Sequence, residues 1–193
     1  METPNNATRE RILEVAEELF TKRGYASVKL RDIADVVGIK HASLYYYAPD
    51  GKKQLFIEVM ERNFKRHHEG LNSVIQGAGD DVRQQMVAVA KWFISQPPIE
   101  MSRLLEADMT EIDPQQAQHL MNLAYDALRL PIVSALMRAR QKAQIRPMDL
   151  DLAAMAFISL IQSVHQIPSS YSQDIRQKTG VALVDMLFDG WSV

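Results

Sequence analysis

Residues 30–47 read LRDIADVVGIKHASLYYY, and this stretch decides the fold of the chain. Its apolar residues are spaced to give each of two short helices one inner face: Ile33, Ala34 and Val37 on the first helix, Ile39 and Leu44 on the second. Gly38 stands between them, where the chain needs a left-handed residue to leave the first helix. The stretch therefore predicts a helix-turn-helix, whose second helix can enter the major groove of DNA.

The outer face of that second helix fits a nucleic-acid partner. With the apolar side chains turned inward, the face carries Lys40, His41, Ser43, Tyr46 and Tyr47. These side chains can bond base edges and phosphates, and the tyrosine rings suit thymine methyl groups. The alternative is an ordinary helical hairpin with a solvated face. Three consecutive tyrosines argue against it, because a solvated face more often carries Glu, Lys or Gln.

The charge is concentrated where DNA would need it. The 193 residues carry a net charge of only −2, yet residues 22–53 hold seven basic and three acidic side chains. Phosphate contacts need such a local excess of positive charge. The alternative is that a window of this size varies by this much by chance.

Several classes of function are excluded by what the sequence lacks. There is no cysteine, so disulfides and thiolate chemistry are absent. His67 and His68 are adjacent on one predicted helix and face apart, so we expect no metal and no cofactor. No nucleophile elbow, phosphate loop or paired-carboxylate motif is present, so the chain is not expected to be an enzyme. The polar N-terminus and the lack of an 18-residue apolar run predict a cytoplasmic protein outside the membrane.

The rest of the chain has helical periodicity and no alternating strand pattern, so the predicted fold class is all-α. Helices are predicted over 8–23, 52–74, 82–95, 101–109, 114–144, 150–166 and 175–189, and Pro131 predicts a kink or break in the long one. Three segments follow from this: a helix-turn-helix DNA-binding head over 1–51, a linking helix over 52–75, and a larger effector-binding and dimerisation domain over 80–193.

The last two predicted helices are apolar on nearly all sides. A helix of this kind is buried, and so near a chain end a partner subunit is the simplest cover. A homodimer with two-fold symmetry would match a palindromic DNA site. The predicted dimer seam consists of Ala153, Ala156, Phe157, Leu160, Gly180, Leu183 and Leu187. The alternative is an internal core covered by the chain itself.

Methionines and aromatic residues beyond residue 80 suggest a cavity for a small hydrophobic or aromatic ligand, because flexible thioethers line adaptable pockets. The candidate effector pocket consists of Trp92, Phe93, Met101, Met109, Met121, Tyr125, Phe157 and His165. The alternative is that these residues are ordinary core, which is what methionines and aromatics at helical spacing usually form.

Four stretches resemble the tetracycline-repressor (TetR) family of transcription regulators: ILEVAEELFTKRGY at 12–25, LRDIADVVGI at 30–39, SLYYY at 43–47 and KKQLF at 52–56. The resemblance covers roughly residues 8–65. It implies an all-α homodimer whose paired heads bind one palindromic operator, with a larger domain that binds a small effector and thereby alters the spacing of the heads. It favours a repressor. The chain departs from the family pattern at Val28–Lys29, and Gly51 adds one residue before Lys52.

The resemblance also assigns roles to single positions. Lys40, His41, Ser43, Tyr45 and Tyr46 fall where family members touch bases or the adjacent backbone. Tyr47 and Lys52 fall where the family binds phosphate, and Lys29 begins the helix that crosses the DNA backbone. Arg31 on that same helix completes the predicted DNA-binding set. The alternative function is a helical small-molecule-binding or protein-docking module that does not read DNA.

Overall fold

The computed structural model describes residues 4–96, 110, 112–168 and 170–191. Eight α-helices lie in these ranges, with no strand among them. In chain order they are α1 (Pro4–Arg23), α2 (Leu30–Val37), α3 (His41–Tyr47), α4 (Lys52–Gly77), α5 (Val82–Ser95), α6 (Pro114–Gln141), α7 (Leu150–Gln162) and α8 (Gln173–Trp191). The all-α prediction is confirmed.

The chain forms two compact units. The first consists of residues 1–64 and 100–124, and the second of residues 65–99 and 125–193. The first compact unit extends past the start of α4, to residue 64. The division into a DNA-binding head, a linking helix and an effector-binding domain, with boundaries at 51, 75 and 80, stays a prediction.

An aromatic cluster holds α1 against α4 in the first unit. The Phe20 and Phe56 rings meet edge to face at 5.3 Å, and the Tyr25 and Phe56 centroids lie 4.8 Å apart. All three side chains are buried. Buried aromatic pairs of this geometry add to the free energy gained from burying their area.

Polar contacts tie the same two helices together outside the cluster. Arg62 pairs with Glu10 at 2.8 Å, and the Asn63 amide donates to Glu17 at 2.9 Å. Arg9 forms an ion pair with Glu58. The first part of α4 is therefore fastened to α1 by both apolar and polar contacts.

The second unit has its own core, built from α5, α7, α8 and part of α6. Side chains with at most 4% exposure at its centre include Met86, Phe93, Leu136, Phe157 and Ile161. Asp81 caps α5 by accepting from the backbone N–H of Gln84 at 2.8 Å, and Asp149 caps α7 in the same way. A carboxylate at these positions satisfies N–H groups that have no partner within the helix.

Glycine allows α5 and α8 to pack closely. A methyl group added at Gly180 would overlap the Cδ1 atom of Ile94 and contact the side chain of Ala90. Arg83 of α5 binds Asp185 at 2.9 Å and Asp189 at 3.1 Å, both on α8. Apolar contact and ion pairs thus join this helix pair.

Two sequence-based helix predictions need correction, and a third lies outside the described residues. The break expected at Pro131 is wrong, because α6 runs through it without interruption from Pro114 to Gln141; Pro131 and Ile132 are both buried, and this packing offsets the hydrogen bond that proline cannot make. The last turn predicted for the 150–166 helix is a 3₁₀ turn, Ser163–Gln166. The helix predicted over 101–109 lies outside the described residues.

Candidate nucleic-acid interface

The turn between α2 and α3 has the geometry that the glycine was expected to provide. Gly38 has φ 82° and ψ 30°, in the left-handed region. Its N–H donates to the carbonyl of Ala34 at 2.9 Å, and the N–H of Ile39 donates to the same carbonyl at 3.0 Å. The turn thereby closes the end of α2 and starts α3 in a new direction.

The start of α2 is capped from within the helix. The backbone N–H of Lys29 donates to the Asp32 carboxylate at 2.9 Å, while the Lys29 side chain makes no capping bond. An ammonium group has no lone pair with which to cap a helix. The exposed Lys29 side chain is therefore available at the surface. Arg31, also exposed, lies 3.9 Å from Asp35, a weak pair that solvent screens.

The outer face of α3 is open to solvent. Leu44 is fully buried and anchors the helix, whereas Tyr46 is 72% exposed and Tyr45 is 47% exposed. Exposed side chains on α3 and at its N-cap also include Lys40, His41 and Ser43; Tyr47 is half-buried. The side chains expected on this face are therefore presented outward, and their contact with DNA stays a prediction.

Ring contacts order the face. The His41 and Tyr45 rings meet edge to face at 5.5 Å, and the Tyr46 and Tyr47 rings do so at 5.1 Å. No acidic residue occurs between Val36 and Pro49. The face therefore offers donors and aromatic rings in a segment free of negative charge, which suits a polyanion.

Lys52 has a role that the sequence did not indicate. Its ammonium donates to the carbonyl oxygen of Tyr25 at 2.9 Å and lies 4.0 Å from the centroid of the Tyr25 ring. The side chain is half-buried. Lys52 thus fixes the first turn of α4 beside the end of α1, in addition to the phosphate contact predicted for it.

A polar cleft lies elsewhere in the first unit. It has a volume of about 640 Å³ and lies mainly along α4. Its lining side chains are Arg9, Asp50, Lys53, Gln54, Ile57, Glu58, Glu61 and Gln116. Among the predicted effector-pocket residues that the structure describes, none lines this cleft.

The structure places the predicted effector-pocket residues in different surroundings. Phe93 and Phe157 belong to the core of the second unit. The Trp92 side chain packs against that core, and its indole ring lies against the backbone of Gly70. The hydroxyl of the exposed Tyr125 lies 3.5 Å from the sulfur of Met155. Met121 is exposed in the first unit, and Met101 and Met109 lie outside the described residues.

Among the pocket candidates, His165 has a lowered pKa. Burial lowers its pKa, a hydrogen bond to the backbone of Phe93 partly opposes this, and the nearby charge of Arg176 lowers it further. A neutral imidazole near the core is the form that these surroundings favour.

The predicted seam residues divide into two groups. Ala153, Phe157 and Gly180 are buried by their own chain, while Ala156 is exposed and Leu160, Leu183 and Leu187 are partly exposed. The more exposed apolar residues of α7 and α8 were missed: Leu152 at 64%, Met155 at 47% and Met186 at 58%. Leu152 precedes Met155 by three residues and Ala156 by four, and this spacing along α7 is the signal that would have identified the two missed residues of that helix.

Two further findings concern the described part of the chain. No group of three or more His, Cys, Asp or Glu there could hold a metal ion. One helix, α6, is long and apolar enough to cross a membrane by length and composition, with a mean hydropathy of 1.2 and 44% of the relevant window buried. The core helices of soluble proteins pass the same test, so this is weak evidence for a membrane span.

Comparison with known proteins connects the head to one family. Residues 12–59 match the model of bacterial regulatory proteins of the tetR family. The chain is 39% identical over 67 residues to IcaR of Staphylococcus aureus (strain Newman), a negative transcriptional regulator of the biofilm operon icaADBC. That match covers 35% of this chain and 33% of IcaR, so it spans about a third of the relative's length.

Solved structures match over nearly the whole chain at low identity. A TetR-family transcriptional regulator of Mesorhizobium loti MAFF303099 has a TM-score of 0.77 at 17% identity, covering 100% of both chains. AibR, solved with isovaleryl coenzyme A and operator DNA, has a TM-score of 0.74 at 20% identity, covering 94% of this chain and 98% of AibR. At these identities the likeness establishes the fold.

Proposed function

Because the chain belongs to the TetR family of bacterial transcription regulators, we propose that it binds a palindromic DNA operator as a homodimer, represses transcription there, and is released by a small hydrophobic or aromatic effector. The family consists of regulators and not of enzymes. Since an operator lies on the bacterial chromosome, the place of action is the cytoplasm.

The outward face of α3 carries this proposal. It combines one buried anchor, Leu44, with exposed donors and rings in a segment that has no carboxylate. Its donors can bond base edges and phosphates, and the segment carries no negative charge that would repel the phosphates. In the proposed complex α3 lies in the major groove, while Lys29, Arg31, Tyr47 and Lys52 contact the DNA backbone.

The homodimer is supported by apolar side chains that the single chain leaves exposed on α7 and α8. These are Leu152, Met155, Ala156 and Met186. Exposed apolar residues grouped on neighbouring helices mark protein–protein contact more often than isolated ones do. A two-fold axis between two copies would present two heads to the two halves of a palindrome.

Repression and effector release rest on the relatives. IcaR is a negative regulator, and AibR was solved with both an acyl coenzyme A and operator DNA. For this chain we propose an effector site in the second unit, near Trp92, Tyr125 and His165.

The test of DNA binding is the salt dependence of affinity. The wild-type protein should bind a random duplex of about 30 base pairs with a steep fall in affinity as salt rises, because bound phosphates release counterions. Fluorescence anisotropy at several salt concentrations measures the slope. A flat slope would favour the alternative, a protein-docking module that does not bind DNA.

Two lysine variants localise the contact. Lys29→Gln should reduce the slope by about 0.9, the value for one phosphate contact on duplex DNA. Lys91→Gln removes the same charge from an exposed position on α5 and should leave the slope unchanged. Equal slopes for both variants and the wild type would move the contact away from α2.

A further inference from the structure

The chemistry of the α3 face restricts which bases it can read. Between Val36 and Pro49 the chain contains no Asp, Glu, Asn or Gln. The exposed side chains are two nitrogen donors, Lys40 and His41, the hydroxyl of Ser43, and the rings of Tyr45 and Tyr46. The face thus holds cationic or N–H donors and flat apolar surfaces, with no carboxylate and no carboxamide.

Each base pair presents a different pattern in the major groove. Guanine offers two neighbouring acceptors, N7 and O6, to an ammonium or an imidazole N–H, whereas adenine offers N7 beside the N6 donor, so a set of donors favours guanine. Thymine offers a C5 methyl group, which packs against apolar or aromatic side chains. Side-chain reading of adenine uses the paired donor and acceptor of Asn or Gln, and reading of cytosine uses a carboxylate. Neither of the last two sets is available on this face.

The contacts within α3 arrange these groups in order. His41 and Tyr45 are one helical turn apart, and their rings touch edge to face at 5.5 Å. Tyr46 leans on Tyr47 at 5.1 Å, which leaves most of the Tyr46 ring exposed. The donors therefore stand at the start of the helix and the rings one turn later. A recognition helix contacts base edges chiefly through its N-terminal residues.

Resting on the proposed DNA-binding function, we propose that each operator half-site presents guanine to Lys40 and His41, followed by thymine methyl groups to Tyr45 and Tyr46. Adenine and cytosine at these steps are then set by pairing and not by direct side-chain contact. Ser43 bonds either kind of edge and adds no preference.

The experiment begins with selection of the best duplex from a randomised library by the full-length wild-type protein. In that duplex each thymine is replaced in turn by deoxyuridine, which removes only the methyl group. Each guanine is replaced in turn by 7-deazaguanine, which removes only the N7 acceptor. Affinity is measured for every single replacement by anisotropy.

The expected result has two parts. At one or two positions per half-site, loss of the methyl group should weaken binding about fourfold, the value for one buried methylene-sized group. At a neighbouring guanine, loss of N7 should weaken binding by about fivefold or more. Duplexes in which no thymine methyl and no guanine N7 matters would overturn the inference.

Protein variants assign each effect to a side chain. Tyr46→Phe keeps the ring and loses the hydroxyl, so it should retain the methyl effect, whereas Tyr46→Ala should abolish that effect at the thymine that Tyr46 contacts. His41→Phe or Lys40→Met should abolish the guanine effect. Tyr171→Ala alters an exposed tyrosine in the second unit and should change neither effect. A methyl effect lost in Tyr46→Phe would mean that the hydroxyl, and not the ring, makes the contact, and would overturn the inference.

This design separates the inference from the function it rests on. If selection yields a defined sequence with a steep salt slope but no base analogue matters, the protein binds DNA and reads it in another way. If selection yields no sequence and the salt slope is flat, the proposed DNA-binding function itself fails.

Discussion

The outer faces of α3 and α7 differ in polarity, and the difference matches their proposed partners, DNA for α3 and a second copy of the chain for α7. Both helices bury one side in their own unit, through Leu44 and Phe157 respectively, and both leave large side chains exposed. The exposed side chains of α3 are donors and tyrosine rings, whereas α7 exposes Leu152 and Met155. A hydrated, charged partner such as DNA can contact the α3 face. The α7 face gains free energy only from contact with another apolar surface, because a polar partner would lose hydrogen bonds to water there.

The same contrast appears in the comparisons. The family model matches residues 12–59 in the head, while the similarity in fold covers nearly the whole chain. A head that reads a duplex needs particular side chains at particular positions. Helices that only pack together need volume and apolarity, which many sequences supply. The family match therefore lies where particular side chains are needed, and the shared fold extends over helices that need only volume and apolarity.

The largest effect should come from giving the α7 face a charge. Ala156→Glu adds a carboxylate at an exposed position, so the single chain should still fold. If two copies meet there, the carboxylate is buried without a partner, which costs several kcal/mol. Sedimentation should therefore show monomers for this variant and dimers for the wild type.

The control for that experiment is Gln115→Glu, which adds the same charge at an exposed position on α6. It should sediment like the wild type. Dimers of Ala156→Glu that are as stable as wild-type dimers would remove the α7 face from the proposed interface and weaken the contrast with α3.

A smaller effect should follow from filling the contact between α5 and α8. Gly180→Ala places a methyl group against Cδ1 of Ile94, so the cost of moving that side chain opposes the gain of up to about 1 kcal/mol that alanine brings inside a helix. In urea unfolding this variant should therefore be less stable than Gly190→Ala, which has no such contact. Adding Ile94→Val removes the overlapping Cδ1 atom, so the double variant should be more stable than the sum of the two single changes predicts.

Gly190→Ala is the matched control, because a methyl group there meets nothing within 4 Å. Since Gly190 also lies inside α8, the stability of this variant should equal that of the wild type or exceed it by up to about 1 kcal/mol. Strictly additive effects of Gly180→Ala and Ile94→Val would show that the two side chains do not compete for space.

In the head, a glycine matters for its backbone conformation and not for space. In Gly38→Ala the added methyl group would meet nothing within 4 Å. The backbone at position 38 has φ 82°, however, and a non-glycine residue in that conformation costs about 1–2 kcal/mol. Thermal unfolding should show that loss. Gly77→Ala, equally unobstructed but inside a helix, should leave stability unchanged or raise it by up to about 1 kcal/mol. Equal losses in the two variants would contradict the conformational explanation.

The smallest effect concerns pH and the second unit. Burial lowers the pKa of His165 in the folded chain below the ordinary 6.5. At a pH between the lowered pKa and 6.5, the imidazole is therefore protonated more often in the unfolded chain than in the folded one. Stability should therefore fall as the pH drops below about 6.5. His165→Gln should reduce this fall when urea midpoints are compared at about pH 7.5 and pH 5.5, while His119→Gln at an exposed site should not. An unchanged pH dependence in His165→Gln would show that His165 does not contribute to it.

The head was predictable because local rules determine it. The apolar spacing and the single glycine at 38 predict both the turn and the inner face, and the left-handed φ of Gly38 is the physical reason. The role of Lys52 was not predictable, since its contact with Tyr25 joins residues 27 positions apart. No local pattern encodes such a contact.

The C-terminal helices show what the periodicity of apolar residues cannot predict. An apolar stripe indicates burial but not which surface covers it, so Phe157 was assigned both to a pocket and to a seam. The structure places it in the core of its own unit, with no exposure. Only the packing of α5 and α8 against α7 separates Phe157 from its neighbour Ala156, which stays exposed.

The fastening of α4 to α1 has a practical consequence for protein engineering. Phe56 and Phe64 are buried in the first unit, and Arg62 and Asn63 reach back to α1. A chimera that joins this head to a foreign sensor at residue 51 would strip the aromatic cluster of one of its rings. Fusion points should lie after Phe64, so that the transplanted head keeps the part of α4 that packs against α1.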